Sequence, residues 1–302
     1  MFKVLHFFMC LSLQFGIGFG SNASFEGNKT LPIVMWHGMG DTCCFSFSLG
    51  SFRDFLIEIL GGNTYVNSIR IGNNEVEDFY SGYFVHPDKQ VEEACRQISS
   101  DPMLQNGYNA VGFSQGSQFL RAVVQRCPVP RINNLISLGG IFGLPQCPSL
   151  NSKTCERFRL LLNHVAYTDW LQGYLVQATY WHNPLKEELY KKGSTFLADI
   201  NNERTINQSY IDNLAKLNRF VLVKFNQDSI VQPVESEWFQ FYSPGQDKKI
   251  ENLSDSNAGK RLGLNDLVAA NKMVFLSTDG DHLKFSRDWF KENLVPYLNG
   301  EK

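Results

Sequence analysis

The segment from Gly107 to Gly116 reads Gly-Tyr-Asn-Ala-Val-Gly-Phe-Ser-Gln-Gly, and the interpretation of the whole chain starts from it. Its apolar part, 109–113, is typical of a buried strand, and an amphipathic helix pattern over 115–125 follows directly. The last five residues form a Gly-x-Ser-x-Gly motif, which places a serine on a sharp strand-to-helix turn where larger residues than glycine would collide with the backbone. A turn that holds a serine by chance is the alternative. The flanking patterns favour Ser114 as a nucleophile.

A serine hydroxyl is a weak nucleophile unless a base and an orienting acid support it. In chains with this motif, the acid and then the histidine follow the serine. Among the six histidines, His282 follows the last predicted strand near the carboxyl end, and a surface histidine in a turn is the alternative. Asp228, just beyond the strand 220–225, is the predicted acid, with Glu235 as second choice and a solvated turn aspartate as the alternative. Asp281 is too near His282 in sequence to approach its ring comfortably.

A glycine-rich turn, His37-Gly-Met-Gly40, ends the first predicted strand. In hydrolases with a serine at a strand-to-helix turn, a loop at this place donates one backbone N–H to the oxyanion, and the residue after the serine donates the other. The sequence therefore predicts an oxyanion hole formed by the amides of Met39 and Gln115. His37 is interpreted as a structural residue under the loop.

Six short apolar runs alternate with helical patterns, which predicts an α/β fold with a mostly parallel central sheet and flanking helices. The predicted strands are 31–36, 65–71, 109–113, 134–138, 220–225 and 272–276, and the predicted helices include 52–60 and 90–99. The interval 145–216 contains no strand-like run, so we expect a helical insertion before the strand that precedes the acid. Residues 23–302 are interpreted as a single domain.

The composition excludes some classes of function. Lys and Arg number 28 and Asp and Glu 30, which gives a net charge of −2, and no basic run is present, so the electrostatic signature of a nucleic-acid-binding protein is missing. Hydrophobic residues make up 43% and charged residues 19%, which argues for a large core and against disorder. The 24 Phe, 11 Tyr and 5 Trp indicate either a large apolar ligand or a well-filled core.

Residues 1–22 have the pattern of a secretory signal peptide that is removed, with Lys3 ahead of an apolar centre and small residues at the end. That run is too short and too rich in glycine for a membrane-spanning helix, and no later stretch is long enough, so no transmembrane anchor is expected. Four Asn-x-Ser/Thr triplets agree with export and are candidate glycosylation sites: Asn22, Asn28, Asn207 and Asn252.

Six cysteines remain once Cys10 is removed with the leader. An even number in an exported chain indicates disulfides, and the spacing favours the pairs Cys95–Cys127 and Cys147–Cys155. Cys43 and Cys44 are adjacent and would form either a vicinal bridge or two buried thiols. A zinc site is the rival interpretation, but the paired Cys-x-x-Cys spacing is lacking, and neither a metal nor a cofactor is expected.

Eight stretches of the chain are similar to those of the lysosomal palmitoyl-protein thioesterases. They are His37-Gly-Met-Gly-Asp-Thr-Cys-Cys44, the segment 107–116, Gln118-Phe-Leu-Arg-Ala122, Phe142-Gly-Leu-Pro-Gln-Cys147, Tyr180-Trp-His-Asn-Pro184, Phe196-Leu-Ala-Asp-Ile-Asn201, Asp228-Ser-Ile-Val231 and Gly280-Asp-His-Leu283. The likeness covers essentially the whole mature chain, and the double cysteine is a specific feature. The family carries a longer stretch, with Gln-His-Gln-Gly, between the equivalents of Gly140 and Phe142; here the chain runs straight through, near the carboxyl edge of the sheet.

The resemblance implies an α/β-hydrolase that removes long-chain acyl groups, mainly palmitate, from cysteine thioesters of S-acylated proteins or peptides. It implies the lysosome as the destination, with secretion as a second possibility. It also implies Ser114 as nucleophile, His282 as base and Asp228 as its orienting acid. The bridges that it implies are Cys43–Cys44, Cys95–Cys127 and Cys147–Cys155.

The insertion would help to form the groove for the acyl chain. Candidate groove residues are Trp181, Ile230 and Val231, for each of which packing in the core is an equal alternative. Two other functions stay open. One is a lipase or carboxylesterase acting on oxygen esters of long-chain fatty acids, since the three catalytic residues do not distinguish sulfur from oxygen. The other is a protein that only binds lipid, against which the complete set of Ser, Asp and His argues.

Overall fold

The computed structural model describes residues 30–140, 144–145 and 160–302. Its strands are β1 Ile33–Trp36, β2 Val66–Ser68, β3 Tyr108–Phe113, β4 Ile132–Leu138, β5 Leu144–Pro145, β6 Arg219–Phe225, β7 Val231–Gln232, β8 Phe241–Tyr242, β9 Ile250–Glu251 and β10 Met273–Thr278. Its α-helices are α1 Leu49–Ile59, α2 Glu75–Phe84, α3 Pro87–Ser100, α4 Gln115–Arg126, α5 Asp169–Tyr174, α6 Val176–Thr179, α7 Glu187–Gly193, α8 Leu197–Ile200, α9 Gln208–Ala215, α10 Asn257–Arg261, α11 Leu264–Ala269, α12 Arg287–Asn293 and α13 Val295–Leu298. Residues 160–165 are helical, and 3₁₀ turns span Pro102–Leu104, Pro184–Lys186 and Val234–Trp238.

Six strands form the central sheet in the order β10-β6-β4-β3-β1-β2, and every neighbouring pair is parallel. Each of these strands overlaps one of the six predicted apolar runs. The predicted α/β architecture, with a parallel central sheet and flanking helices, is confirmed. Because all six strands run in one direction, the segments that follow β3, β6 and β10 meet at one edge of the sheet.

Both faces of the inner strands β1, β3, β4 and β6 are buried, as is usual for parallel sheets. Successive side chains of a strand point to opposite faces. In β1, Val34 and Trp36 pack with residues of α3 and α4, whereas Ile33 and Met35 pack on the other face against α1, α12 and α13. This two-sided burial explains why the strand is a continuous apolar run rather than an alternating one.

Helix α2 is the element that the sequence analysis did not predict, although it positions part of the site. It begins after Asn74, whose side chain accepts hydrogen bonds from the amides of Val76 and Glu77, as an N-cap does. Its apolar residues do not form one clear stripe, since Asp78 and Ser81 face the interior. The polar residues at buried positions obscured the helical pattern.

Between β4 and β6 the described residues contain helices α5–α9 and the two-residue strand β5, which pairs antiparallel with β7 outside the central sheet. The predicted insertion 145–216 falls in this interval, and its boundaries, like the single domain 23–302, stay predictions. The leader 1–22 lies outside the described residues. No helix in the described ranges is long and apolar enough to cross a membrane.

Candidate active site

Ser114 lies between β3 and α4, at the edge where the carboxyl ends of the strands meet. Its φ of 52° and ψ of −119° place it in a region that non-glycine residues rarely adopt and that the surrounding structure must maintain. Both glycines of the motif are required. A Cβ on Gly112 would collide with the Cα of Ser117, and a Cβ on Gly116 would collide with the carbonyl oxygen of Trp36. The two glycines therefore make the sharp turn possible.

The structure brings the three predicted catalytic side chains together. Nε2 of His282 lies 2.8 Å from Oγ of Ser114, and Nδ1 of His282 lies 2.5 Å from Oδ2 of Asp228. A carboxylate can only accept, so Nδ1 carries the proton that is donated to Asp228, and Nε2 is left to accept the hydrogen bond of the serine. The acid follows β6, the histidine follows β10, and Glu235 is not part of this relay.

Two backbone amides and a second carboxyl group hold Asp228 in place. Oδ1 accepts hydrogen bonds from the N–H groups of Ile230 and Val231, at 2.7 and 2.8 Å. Burial by itself would raise the pKa of Asp228. Hydrogen bonds from His282, Glu237 and the Val231 amide outweigh burial and keep that pKa below its ordinary value. Asp228 is therefore held as a carboxylate next to the imidazole.

The loop that carries His282 is tied to the loop that carries Asp228. Oδ1 of Asp281 accepts from the amide and the hydroxyl of Ser229, both at 2.9 Å, and from the amide of His282 at 2.7 Å. These hydrogen bonds lower the pKa of Asp281. Gly139, with φ of 59°, lets the imidazole approach, since a Cβ there would lie 3.1 Å from Cε1 of His282. Asp281 thus fixes the loop and does not serve as the acid.

The turn after β1 lies against the serine. A Cβ on Gly38 would lie 3.0 Å from Cβ of Ser114, so glycine permits this close approach. Gln115 is the first residue of α4, where backbone N–H groups have no partner within the helix. Met39 lines the same pocket as Ser114. The oxyanion hole formed by the amides of Met39 and Gln115 agrees with this placement and stays a prediction.

His37 is buried below this turn. Nδ1 donates to the carbonyl oxygen of Gly38 at 2.8 Å, and Nε2 lies 3.1 Å from Oδ1 of Asp78 in α2. Asp78 also accepts from the amides of Cys43 and Ile71. Burial alone would lower the pKa of His37, but the hydrogen bond and the charge of Asp78 raise it above its ordinary value. His37 is a structural residue of the loop in these contacts.

An apolar pocket of about 250 Å³ opens beside Ser114. Its walls come from the turn after β1, from α1, from the end of β3 and from the loop after His282. The lining residues are Gly38, Met39, Asp41, Ser48, Leu49, Phe52, Phe113, Ser114, His282, Leu283 and Phe285. The pocket is near the lower end of the usual range for small-molecule sites, roughly 300–1,000 Å³.

The three predicted groove residues do not line this pocket. Trp181 is almost completely buried and donates its indole N–H to Asn163 at 3.1 Å, and Val231 is completely buried. Ile230 is half-buried. The site uses the backbone amides of Ile230 and Val231, as donors to Asp228, whereas the sequence analysis chose them for their side chains. Their assignment to an acyl groove stays a prediction.

Disulfides join Cys43 to Cys44, in the segment after β1, and Cys95 of α3 to Cys127 at the end of α4. Cys147 and Cys155 lie outside the described residues. So do two of the glycosylation candidates, Asn22 and Asn28. The other two, Asn207 and Asn252, are exposed, and all four stay predictions.

Asp228, Glu237 and His282 form the one group of His, Cys, Asp and Glu side chains in the described ranges that is compact enough to hold a metal ion, with one atom from each within 4.8 Å of the others. Nδ1 of His282 and the Asp228 carboxylate are joined by a hydrogen bond. The histidine and aspartate atoms that a metal would need are therefore already hydrogen-bonded to each other, as in a proton relay.

The sequence analysis did not predict the buried polar side chains that lie next to the three catalytic residues. The side chain of Gln115 donates to the carbonyl oxygen of Gly82 and accepts from the hydroxyl of Tyr180 at 2.9 Å. Glu237 is completely buried beside Asp228. One sequence signal could have indicated it, because Glu237 directly precedes Trp238 and Phe239, and an acid next to aromatic residues is a candidate for burial.

A parallel sheet with a serine at a strained strand-to-helix turn, and with histidine and aspartate at the same sheet edge, defines the class of the α/β-hydrolases. A family model described as "Palmitoyl protein thioesterase" matches residues 32–282. The chain belongs to this family.

Two relatives illustrate the match. "Palmitoyl-protein thioesterase 1" of Caenorhabditis elegans is 44% identical over 276 residues, covering 89% of this chain and 92% of that protein. "Palmitoyl-protein thioesterase 3" of Dictyostelium discoideum is 33% identical over 283 residues, covering 90% of this chain and 93% of that protein. Among solved structures, an esterase of Pyrococcus furiosus covers 90% of this chain and 83% of that chain, with a TM-score of 0.46 and 13% identity. The fold assignment rests on the strand order.

Proposed function

We propose that the chain removes long-chain acyl groups, palmitate in particular, from S-acylated cysteines of proteins or peptides. The observation that carries the proposal is the relay, with 2.8 Å between His282 and Ser114 and 2.5 Å between His282 and Asp228. Membership of the palmitoyl protein thioesterase family supports the choice of a thioester substrate.

The reaction follows from the positions of the protons. Nε2 of His282 takes the proton of Ser114 while Oγ attacks the thioester carbonyl, and the amides of Met39 and Gln115 stabilise the oxyanion. The carbon–sulfur bond then breaks, the cysteine leaves as a thiolate that His282 protonates, and an acyl-serine remains. His282 next takes a proton from water while the water oxygen attacks the acyl-serine. The bond between the acyl carbon and Oγ then breaks, His282 returns the proton to Oγ, and the fatty acid is released.

The apolar pocket beside Ser114 is the place that we propose for the acyl chain. Its wall contains Leu49, Phe52, Leu283 and Phe285, and no lysine or arginine lines it. Burial of each methylene contributes about 0.8 kcal/mol, so catalytic efficiency should rise with chain length until the pocket is filled.

A series of acyl thioesters of increasing length, run beside the matching oxygen esters, tests the function. We expect kcat/KM to rise about fourfold per methylene over the buried part of the chain, with thioesters favoured over oxyesters. Faster turnover of the oxyesters would instead indicate a lipase or carboxylesterase. Binding of acyl chains without turnover would indicate a lipid-binding protein.

The same series of substrates shows where the acyl chain binds. Phe285→Ala should lower kcat/KM for the palmitoyl substrate roughly tenfold or more and for a short acyl substrate much less, because about 1.5–3 kcal/mol of burial is lost only when the chain reaches it. Ile230→Ala tests the alternative groove. Phe275→Ala, an exposed position on β10, is the matched control and should leave both substrates unchanged. A larger loss in Ile230→Ala than in Phe285→Ala would reject the pocket in favour of the groove.

We propose that the chain is exported after loss of residues 1–22, carries the bridges Cys43–Cys44, Cys95–Cys127 and Cys147–Cys155, and works in the lysosome, with secretion as the alternative. The names of several relatives, such as "Lysosomal thioesterase PPT2" of Bos taurus at 26% identity, support that destination. A physical argument also supports it, because several buried groups are protonated in the folded state.

Stability should be greater at acidic than at neutral pH. Burial, with the charge of Glu187, raises the pKa of Glu203 from 4.5 to about 7. Between the unfolded and folded pKa values of Glu203, the folded state binds more protons than the unfolded state. The free energy of unfolding therefore falls as pH rises through this range. At about 1.36 kcal/mol per pKa unit, the fall is about 3 kcal/mol. Glu237 and His37, whose pKa values are also raised, act in the same direction. The lowered pKa values of Asp228 and Asp281 oppose this trend only below about pH 4, whereas the lowered pKa of His86, caused mainly by burial, opposes it below about pH 6.5.

Urea denaturation at about pH 5 and about pH 7.5 measures this difference. Glu203→Gln should be more stable than the wild type at the higher pH and similar to it at the lower, because the amide does not ionise. Glu188→Gln is the control, since that side chain is 90% exposed. Equal pH dependence in all three proteins would contradict the expectation.

A further inference from the structure

Glu237 is a buried carboxyl group that the proposed reaction does not use. It lies in the 3₁₀ turn Val234–Trp238, and its side chain is completely buried. Oε2 accepts a hydrogen bond from the amide of Phe225, at the end of β6, at 2.7 Å. Oε1 accepts no hydrogen bond from any N–H or hydroxyl group of the described residues. One oxygen is therefore anchored to the sheet and the other is available to a different kind of partner.

That partner is Asp228. The two carboxyl groups lie together with the His282 ring, with one atom from each of the three side chains within 4.8 Å of the others. A hydrogen bond between two carboxyl groups requires a proton on one of them. Asp228 already receives three N–H hydrogen bonds, from the imidazole and from two backbone amides. Glu237 receives one, so the negative charge is better stabilised on Asp228 and the proton belongs to Glu237.

The surrounding charges agree with this assignment. The ionisable groups that face Glu237 are Asp228 and Lys224, whose ammonium lies 4.2 Å from the centre of the Trp238 ring. Burial first, and then Asp228, raise the pKa of Glu237 to about 11, despite the opposing effect of Lys224 and the Phe225 amide. His282 faces Asp228 and, on its own loop, Asp281. Glu237 is thus neutral throughout the acid and neutral pH range.

We propose that Glu237 is a positioning residue of the relay, which as a neutral acid donates its O–H to the Asp228 carboxylate and so sets how strongly Asp228 attracts the proton of His282. The inference rests on the proposed nucleophilic role of Ser114. It adds a fourth member, which does not touch the substrate, to the three residues predicted from the sequence.

The consequence concerns activity at acidic pH. A donor on Asp228 withdraws part of its negative charge from the imidazole. Without that donor, the less compensated carboxylate favours the imidazolium form of His282, which cannot accept the serine proton. The neutral base would then be available only at higher pH. Glu237 therefore keeps the relay usable in an acidic compartment.

The test compares Glu237→Gln with Glu237→Met, following the rate at which a fluorophosphonate labels Ser114 between about pH 4 and pH 8. The amide of glutamine can donate to Asp228 and accept from Phe225, so this variant should keep most of the labelling rate and the wild-type pH profile. Methionine fills a similar volume without a donor. It should lower the labelling rate at acidic pH about tenfold and move the acid limb to higher pH by about one unit.

Glu235→Gln, two residues earlier in the same turn, is the matched control and should behave like the wild type. An infrared difference spectrum at neutral pH, wild type minus Glu237→Gln, supplies a readout that a structural role would not affect: the carbonyl band of a protonated carboxylic acid should be present in it, while any band from Glu203 cancels. Absence of this band from the difference spectrum would overturn the proposal even if Glu237→Met fails to fold. So would a folded Glu237→Met with an unchanged profile, or a Glu237→Gln as impaired as Glu237→Met. Labelling does not depend on the substrate, so its pH profile tests Glu237 even if the protein does not hydrolyse thioesters.

Discussion

Ser114→Ala should lower kcat for a palmitoyl thioester by roughly 10⁶, the size of effect seen when the nucleophile of a serine hydrolase is removed. The relay leaves no substitute, because His282 and Asp228 are engaged with each other and Ser114 Oγ is the hydroxyl at Nε2. Steady-state turnover and fluorophosphonate labelling of the purified variant measure the loss.

Ser117→Ala is the control for this variant. Ser117 lies one helical turn further into α4, and its hydroxyl donates to the carbonyl oxygen of Gly112 at 2.7 Å, away from the relay. We expect it to be labelled and to turn over substrate like the wild type, with at most a modest loss of stability. Substantial turnover by Ser114→Ala, or labelling at another residue, would exclude Ser114 as the nucleophile.

Asp228→Asn should lower kcat by roughly 10⁴, the loss known for the equivalent change in a serine protease. The reason lies in the two amides of Ile230 and Val231, which both donate to Oδ1. They require an oxygen at that position, so the new NH₂ group faces Nδ1 of His282. The imidazole must then place its proton on Nε2, where it can no longer accept from the serine.

Asp279→Asn is a suitable control for this substitution. Asp279 is exposed on the loop that carries His282, and its Oδ1 accepts from Asn226 at 2.8 Å, which asparagine can also do. It should retain wild-type turnover. Thermal unfolding of both variants separates a misfolded chain from a relay with the wrong tautomer. An Asp228→Asn variant that keeps more than a tenth of the wild-type rate would show that another group orients the histidine.

The elements of the fold were predictable because they depend on local patterns. The six apolar runs correspond to the six strands of the sheet, since burial on both faces leaves a continuous apolar signature. Helix α2 was not predicted, because Asp78 and Ser81 occupy interior positions and interrupt its apolar stripe. Their place in the interior depends on hydrogen bonds to distant segments.

The candidate site was predictable in part for a similar reason. The glycines around Ser114 are a backbone requirement and can be recognised in the sequence alone. The order of serine, acid and histidine narrowed the choice of Asp228 and His282. The acyl groove could not be derived in this way, because a half-buried apolar residue is equally consistent with a groove and with the core, and the pocket beside the serine is lined by other residues.

The sequence by itself determined the strained serine turn, the parallel sheet and the three side chains brought to its edge, because each follows from backbone stereochemistry or from periodic burial of apolar residues. Only the tertiary structure decided that two amides hold Asp228, that Asp281 ties the two loops together, and that Glu237 is buried beside the acid. These contacts depend on which polar groups from distant segments are buried next to one another. That shared environment determines which group holds a proton or a charge, and it cannot be derived from any short stretch of the sequence.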